Sequence, residues 1–255
     1  MSEVESAFLI LTKDRIFILG KIKNVILNSG FNHEKKEIKS IHDLYFDTSD
    51  DCLLKNQIEL RIRLLDDSVY KITLKAPKNR TKNYSDRVEI EEPWSEKSFY
   101  DIMSKLKSLG IKLSNFEHHY DKIPNKTLDK MGLKNIQNKK TNREIINAVN
   151  KTSKQIEFEF ALDHTMIILN SNHKFRFSEL EIESKASGNE AKFERFVNEF
   201  TKNPEFKSWS HDKLETGLAI KNLFESNSLK KNIDYDENGD ITINGINKID
   251  DFLRS

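Results

Sequence analysis

Basic side chains alternate with apolar ones in two neighbouring segments of the sequence. Arg61 and Arg63 share one face of the first segment, and Lys71 and Lys75 share one face of the second. The acid that accompanies them on the first face is Glu59. Guanidinium and ammonium groups bind phosphate oxygens, and arginine can donate two hydrogen bonds to one phosphate group. The two segments therefore indicate a surface that binds a phosphate compound.

Acidic side chains alternate with apolar ones in other segments. The like-charge pairs, each two residues apart, are Glu89 with Glu91, Glu157 with Glu159, and Glu179 with Glu181. Carboxylates on one face of a strand repel each other unless a cation or a basic group lies between them. For any single strand a solvent-exposed face is the simpler explanation, but the separation of charges by sign favours a lined interior for the whole set. Carboxylate oxygens suit Mg2+ or Mn2+, which could also bridge to phosphate.

Strands must position these charged residues, because the alternation has a period of two. The pattern predicts strands over residues 58–65, 69–75, 87–91, 156–163 and 175–183. Helical periodicity predicts helices over 13–28 and 97–109, a third after Ser187 and a fourth after Asp212. This order of elements is typical of an α+β fold with a large antiparallel sheet.

The overall composition limits the possible partners. Lys and Arg number 42 and Asp and Glu number 41 among 255 residues, which gives a formal net charge of +1. Such a balance gives no general attraction to nucleic acid or to an anionic membrane. A single cysteine, Cys52, excludes an intrachain disulfide, and no apolar run reaches the ~18 residues that a membrane span needs. The acidic N-terminus is unlike a signal peptide, so we expect a cytoplasmic protein without a membrane partner.

The composition of the chain changes near Ser226. We expect residues 1–225 to form one domain and residues 226–255 to form an appendage with a hairpin and a short helix. Residues 234–240 resemble the first half of a calcium-binding loop, but Gly245 stands where that loop needs glutamate. A hairpin that turns at Asn238 and Gly239 is therefore favoured. The Lys- and Asn-rich residues 118–142 are predicted to be an inserted loop with a short helix.

Short motifs in a fixed order give the sequence a specific resemblance to a known family. They are Tyr45-Phe46-Asp47-Thr48, Leu60-Arg61-Ile62-Arg63, Lys71-Ile72-Thr73-Leu74-Lys75 and Arg87-Val88-Glu89. In this combination the chain resembles the CYTH superfamily, also called the triphosphate tunnel metalloenzymes, over about residues 3–224. The resemblance implies a closed eight-stranded antiparallel β tunnel or barrel with a polar lumen and helices packed outside. It also implies a triphosphate substrate and a divalent metal.

The resemblance further implies roles for individual residues. Its metal ligands fall on acids that would hold Mg2+ or Mn2+, namely Glu3, Glu5, Glu179 and Glu181. Its triphosphate-binding residues fall on basic positions, namely Arg61, Arg63, Lys71, Lys75, Arg87, Arg143 and Lys213. The residues expected to act in catalysis are Glu5, Glu91, Glu181 and Arg63. Two positions depart from the family pattern, because Ala7 and Thr141 stand where it has lysine.

The predicted function is the metal-dependent hydrolysis of a triphosphate, either inorganic tripolyphosphate or a nucleoside triphosphate. Two alternatives stay open. One is a class IV-type adenylyl cyclase. The other is a non-catalytic module that binds a triphosphate or polyphosphate, which the replacement of lysine by Ala7 favours. An RNA 5′-triphosphate end is the one nucleic-acid partner that the motifs allow, and the sequence indicates no oligomeric state.

Overall fold

The computed structural model describes residues 4–77, 87–113, 120–186 and 188–255, without the side chains of Lys36, Glu37 and Arg87. These residues form two compact units. The central unit is Ser40–Lys140. The terminal unit combines the residues up to Lys39 with Thr141–Ser255.

Nine strands and seven helices are present in the described residues. The strands are β1 (Glu5–Ile10), β2 (Asn32–Asp47), β3 (Glu59–Leu65), β4 (Val69–Pro77), β5 (Arg87–Pro93), β6 (Lys134–Val149), β7 (Ile156–Ile168), β8 (Lys174–Ser184) and β9 (Phe206–Trp209). The helices are α1 (Arg15–Asn28), α2 (Cys52–Lys55), α3 (Glu96–Ser108), α4 (Pro124–Lys130), α5 (Glu190–Thr201), α6 (Lys213–Glu225) and α7 (Ile243–Arg254). The predicted α+β fold with a large antiparallel sheet is confirmed.

In the central unit, the hydrogen-bonded strands follow the order β5-β4-β3-β2-β6. Leu60 and Ile62 of β3 and Leu74 of β4 lie on one face of this sheet and pack against Phe99 and Met103 of α3. Each buried side chain of this size contributes about 1.5–3 kcal/mol to folding. Because the apolar residues take the face toward α3, the charged residues between them take the opposite face.

In the terminal unit, the hydrogen-bonded strands follow the order β6-β7-β8-β1-β9. Phe158 and Phe160 of β7 pack against α5, where the ring of Phe196 contacts both at centroid distances of 4.9 and 5.1 Å. Leu180 and Ile182 of β8 belong to the same core. The acids that alternate with these residues on β7 and β8 therefore take the opposite face.

A second apolar core of the terminal unit involves the C-terminal segment, by which we mean residues 226–255. Ile246 and Ile249 of α7 pack with Ala219 and Ile220 of α6 and with Leu9 of β1. The predicted turn is present, with Gly239 at a φ of +83°, and α7 follows it. The domain boundary proposed after residue 225 stays a prediction. None of the described helices is both long and apolar enough to span a bilayer.

Some sequence predictions of secondary structure are wrong. The resemblance implies eight strands, whereas the described residues contain nine. An inserted loop was predicted over residues 118–142, but strand β6 begins at Lys134 and takes up the second part of that range. Its lysines and asparagines disfavour a strand, but pairing with neighbouring strands overrides that preference. Closure of the sheet into a tunnel stays a prediction.

Helix starts follow the local hydrogen bonds. Helix α1 begins two residues later than predicted, because Asp14 caps it by accepting a hydrogen bond from the Phe17 N–H at 3.0 Å. The start predicted at Asp212 is confirmed, and Asp212 forms a reciprocal capping box with Glu215. The cap predicted at Ser187 lies outside the described residues.

Candidate functional site

The basic residues of β3 and β4 lie opposite acids on neighbouring strands of the central unit. Asp43 of β2 is directly opposite Arg63 of β3. The Arg63 Nε donates to Asp43 Oδ1 at 2.7 Å, and its Nη2 donates to Asp43 Oδ2 at 3.1 Å. The Lys71 Nζ lies 2.7 Å from Glu91 Oε1, and the Thr73 hydroxyl donates to Glu91 Oε2 at 3.2 Å. The carboxylates therefore hold the cations on one face of the sheet.

Arg61 is more deeply buried than Arg63, Lys71 and Lys75. Its Nη1 lies 3.3 Å from Glu59, and its Nη2 lies 3.5 Å from Glu91 and 3.6 Å from Glu89. Lys75 pairs with the same Glu89 at 3.1 Å. The Arg61 Nε is buried and has no hydrogen-bond partner within the described part of the chain. A buried donor in this state provides a place for an additional anionic acceptor.

A buried lysine completes the cluster of the central unit. The Lys139 side chain is 2% exposed, and its Nζ lies 3.1 Å from Asp43 Oδ2 and 3.0 Å from the Tyr45 hydroxyl oxygen. Burial raises the pKa of Asp43, but Lys139 and Arg63 lower it by more, so the pKa lies well below its usual range. The Asp43 carboxylate is therefore charged and holds two cations.

The terminal unit contains a similar cluster. The Arg143 Nε and Nη2 of β6 donate to the two carboxylate oxygens of Asp163, at 2.7 Å each. The Arg143 Nη2 also lies 2.5 Å from Glu181. The Lys213 Nζ, at the start of α6, lies 2.7 Å from Asp163 and 3.6 Å from Glu179, and it also pairs with Glu181. Three carboxylates thus converge on one ammonium group.

The charges of this cluster stabilise one another. Burial lowers the pKa of Lys213, but the neighbouring Asp163, Glu179 and Glu181 raise it by more, and the pKa lies above its usual range. Burial raises the pKa of Glu181, but Lys213 and Arg143 lower it by more, and the net shift is downward. Glu181 is therefore ionised and Lys213 is protonated at neutral pH.

Not all of the predicted site residues are described. Glu3 lies outside the described residues, as does the side chain of Arg87. Glu5 is directly opposite Glu183, and Ala7 is directly opposite Glu181. Glu5 is therefore a diagonal neighbour of Glu181 on β8. Its direct partner, Glu183, was not among the predicted site residues.

The donor set of the terminal unit has the chemistry of a divalent-cation site. Asp163, Glu179 and Glu181 supply only hard oxygen atoms, which Mg2+ and Mn2+ prefer. Among the described residues, however, no group of three or more His, Cys, Asp or Glu side chains already surrounds a metal position. The central cation in this arrangement is the Lys213 ammonium. The acids and the basic groups are brought together here, and the metal stays a prediction.

Asp43, Asp163 and Lys139 hold these clusters together but were not among the predicted site residues. Strand parity could have indicated Lys139, which lies four residues before Arg143 and so shares its strand face. Thr141, between them on the same face, is buried and has its hydroxyl 3.3 Å from that of Thr165. Glu157, predicted to line the same interior as Glu159, accepts a hydrogen bond from Asn189, which stands at the N-cap position of α5.

Comparisons with known proteins identify a family and a fold. A family model described as the CYTH domain matches residues 1–217. The structure of HpAC1 from Hippeastrum, a proposed adenylyl cyclase described as having a dominant triphosphatase activity, has 17% sequence identity and a TM-score of 0.50, and the match covers 89% of this chain and 97% of that one. A proposed adenylate cyclase from Bacillus halodurans has 19% identity and a TM-score of 0.47, with 84% and 98% covered. The curated proteins contain no match.

Proposed function

Because the chain belongs to the CYTH family, we propose that it hydrolyses a triphosphate in a reaction that needs Mg2+ or Mn2+. The observation that carries this proposal is the row of cations across β3 and β4. Arg63 is directly opposite Lys71 in the strand register, and Arg61 and Lys75 lie next to them on the same face. A chain of three phosphates carries several negative charges along a line, so it matches a row of cations better than a single phosphate does.

The ion pairs give an electrostatic reason to expect metal dependence. Arg63, Lys71 and Lys75 are each paired with a carboxylate in the structure. A bound triphosphate would replace the carboxylates at Lys71 and Lys75 with phosphate oxygens, while Arg63 would keep its buried partner Asp43 and use its remaining N–H donors. The carboxylates left behind would repel the phosphates unless another cation neutralised them. By the family resemblance a metal would be held by Glu3, Glu5, Glu179 and Glu181, and it would supply neutralisation of phosphate charge.

The basic residues and Glu91 have separate roles in the proposed reaction. Arg61, Arg63, Lys71 and Lys75, with Arg87, Arg143 and Lys213, bind the phosphates and stabilise the charge of the transition state. Glu91 lies within ion-pair distance of Arg61, Arg63 and Lys71. Burial raises the pKa of Glu91 but Lys71 and Arg63 lower it by more, so the group stays ionised. It therefore orients water by accepting a hydrogen bond. The closed β tunnel that the family implies is part of this proposal.

One product analysis tests the function. The purified protein is incubated with Mg2+ or Mn2+ and with either tripolyphosphate or ATP. Orthophosphate is the expected product. Cyclic AMP together with pyrophosphate would instead identify an adenylyl cyclase. Binding without any product would identify a non-catalytic module, an alternative favoured by Ala7, which lies opposite Glu181 at a position where the family pattern has lysine.

Two substitutions test the site assignment. Arg63→Ala and Glu181→Gln should each lower orthophosphate release by about 100-fold or more, because each removes a charge that contacts the reacting phosphates or their metal. The matched controls are Arg195→Ala and Glu194→Gln on the exposed face of α5. Wild-type rates in folded Arg63→Ala and Glu181→Gln proteins would show that the assignment is wrong.

A further inference from the structure

The C-terminal segment lies beyond residues 1–217, which match the family model, and the proposed function gives it no role. It contacts β8 directly. The backbone N–H of Arg176 donates to the carbonyl oxygen of Gly239 at 2.8 Å, and the Ile241 N–H donates to the carbonyl oxygen of Arg176 at 2.9 Å. A Cβ atom on Gly239 would overlap the carbonyl oxygen of Lys174. The close approach therefore requires glycine, and it lies just before Glu179 and Glu181 on the same strand.

The segment also contacts the residues that follow β1. The Lys13 Nζ lies 2.9 Å from Asp236 and 2.8 Å from Asp240. These acids belong to the stretch that resembles a calcium-binding loop, and here a lysine supplies the cation. Gly245 replaces the last calcium ligand because a Cβ atom there would overlap the carbonyl oxygen of Asp234. Lys13 is exposed, so salt screens this contact and we expect it to contribute little.

The strongest polar contact of the segment is with the residues that lead into α6. Asp250 of α7 is 7% exposed. Its carboxylate lies 2.8 Å from the Lys207 Nζ, 3.2 Å from the His211 Nε2 and 2.8 Å from the Arg254 Nε. His211 directly precedes Asp212, the N-cap of α6, and Lys213 is the first residue of that helix. The His211 ring also packs edge-on against Trp209 at a centroid distance of 5.0 Å.

These contacts join the C-terminal segment to strand β8, which carries Glu181, and to the start of helix α6, which carries Lys213. We propose that the C-terminal segment positions this part of the site, and that Asp250 and His211 are positioning residues for Lys213. The inference rests on the proposed function for its effect on turnover. Helix α7 packs with α6 through Ile246 and Ile249, which share an apolar core with Ala219 and Ile220. A shift of the His211 anchor therefore moves the Lys213 ammonium relative to the acids that it contacts, and shifts of about 1 Å at such groups can cost about 100-fold in rate.

The test compares Asp250→Asn with Asp251→Asn in the full-length chain. Asp251 is the exposed neighbour of Asp250 on α7, so the control removes the same charge from the same helix. Amide hydrogen exchange is measured for residues 174–184 and 211–217, and kcat and KM are measured with tripolyphosphate. We expect Asp250→Asn to speed exchange in both regions and to lower kcat by about tenfold. Asp251→Asn should change neither, and Asp250→Glu should recover most of kcat.

A second variant, at His211, tests the same contact. His211→Phe keeps the ring contact with Trp209 but removes the hydrogen bond, so it tests the same anchor if Asp250→Asn does not fold. Folded variants with wild-type exchange at 211–217 and wild-type kcat and KM, and only a lower Tm, would overturn the proposal. If the wild-type protein released no orthophosphate, the proposed function would fail, whereas hydrogen exchange would still decide whether the segment positions β8 and α6.

Discussion

Arg143 and Asp163 form a bidentate pair in which both contacts measure 2.7 Å. Arg63 and Asp43 form the corresponding pair in the central unit, at 2.7 and 3.1 Å. In both pairs the aspartate is fully buried and also contacts a lysine ammonium. Neither guanidinium can leave its strand face without exposing or unpairing a buried carboxylate, so each unit holds one arginine in a fixed orientation.

Asp43→Asn should destabilise the protein strongly. The substitution removes the charge that pairs with both Arg63 and Lys139, and it leaves the buried lysine with a weaker partner. Breaking a buried pair in this way costs about 3–5 kcal/mol of unfolding free energy, which urea denaturation measures. Asp129→Asn, an exposed residue at the end of α4, is the matched control. A loss no larger than that of the control would contradict the role given to Asp43.

The stability of the protein should fall in acid because of the same carboxylates. The usual pKa of aspartate is 3.8, and the folded-state pKa values of Asp43 and Asp163 are lowered from it. Such groups add stability above their unfolded-state pKa and lose it as the pH falls through the folded-state pKa. Stability should therefore decrease below about pH 5. Urea midpoints measured against pH should fall less steeply for Asp43→Asn, and parallel curves would count against the assignment.

Ala7→Lys should strengthen substrate binding. It restores an ammonium group opposite Glu181, at the position where the family pattern has lysine. A charge-assisted hydrogen bond contributes about 1.5–3 kcal/mol, so the KM for tripolyphosphate should fall about tenfold. Ala7→Met adds a side chain of similar length without charge and should leave KM unchanged. Equal effects of the two substitutions would mean that side-chain size, rather than the missing charge, matters at this position.

Removal of divalent cations should abolish turnover without unfolding the protein. We expect EDTA to stop orthophosphate release and either Mg2+ or Mn2+ to restore it, because the acids Glu179 and Glu181 otherwise repel the phosphates. Circular dichroism recorded in EDTA provides the control, since the clusters are paired internally by Arg143 and Lys213. Undiminished release in excess EDTA would rule out the metal requirement.

The cationic face of the central unit could be predicted because one local rule determines it. Alternation with period two assigns Arg61, Arg63, Lys71 and Lys75 to one face of two strands, and the hairpin between the strands aligns them. Asp43 could not be found in this way, and although strand parity could have placed Lys139 on a charged face, it could not show that Lys139 pairs with Asp43. They come from β2 and β6, and the register between strands distant in sequence depends on packing of the whole sheet.

Strand β6 also could not be predicted from its local sequence. Its first residues, from Lys134 onward, are rich in lysine and asparagine and were predicted to form a loop. The strand forms because β2 and β7 supply hydrogen-bonding partners on both sides, which no local pattern records. The start of α1 could not be decided locally either, since Thr12 and Asp14 are both suitable caps and only the backbone path selects Asp14.

The cation between Asp236 and Asp240 is the Lys13 ammonium group, which is covalently part of the same chain. A tethered cation has an effective concentration set by the length of the chain and cannot be diluted away. The loop of the C-terminal segment should therefore have a counter-ion even where calcium and magnesium are absent, although dissolved salt weakens the contact. Chelation of divalent cations should therefore leave the Lys13 cation in place, so a loss of turnover in EDTA would point to the metal proposed at Glu179 and Glu181.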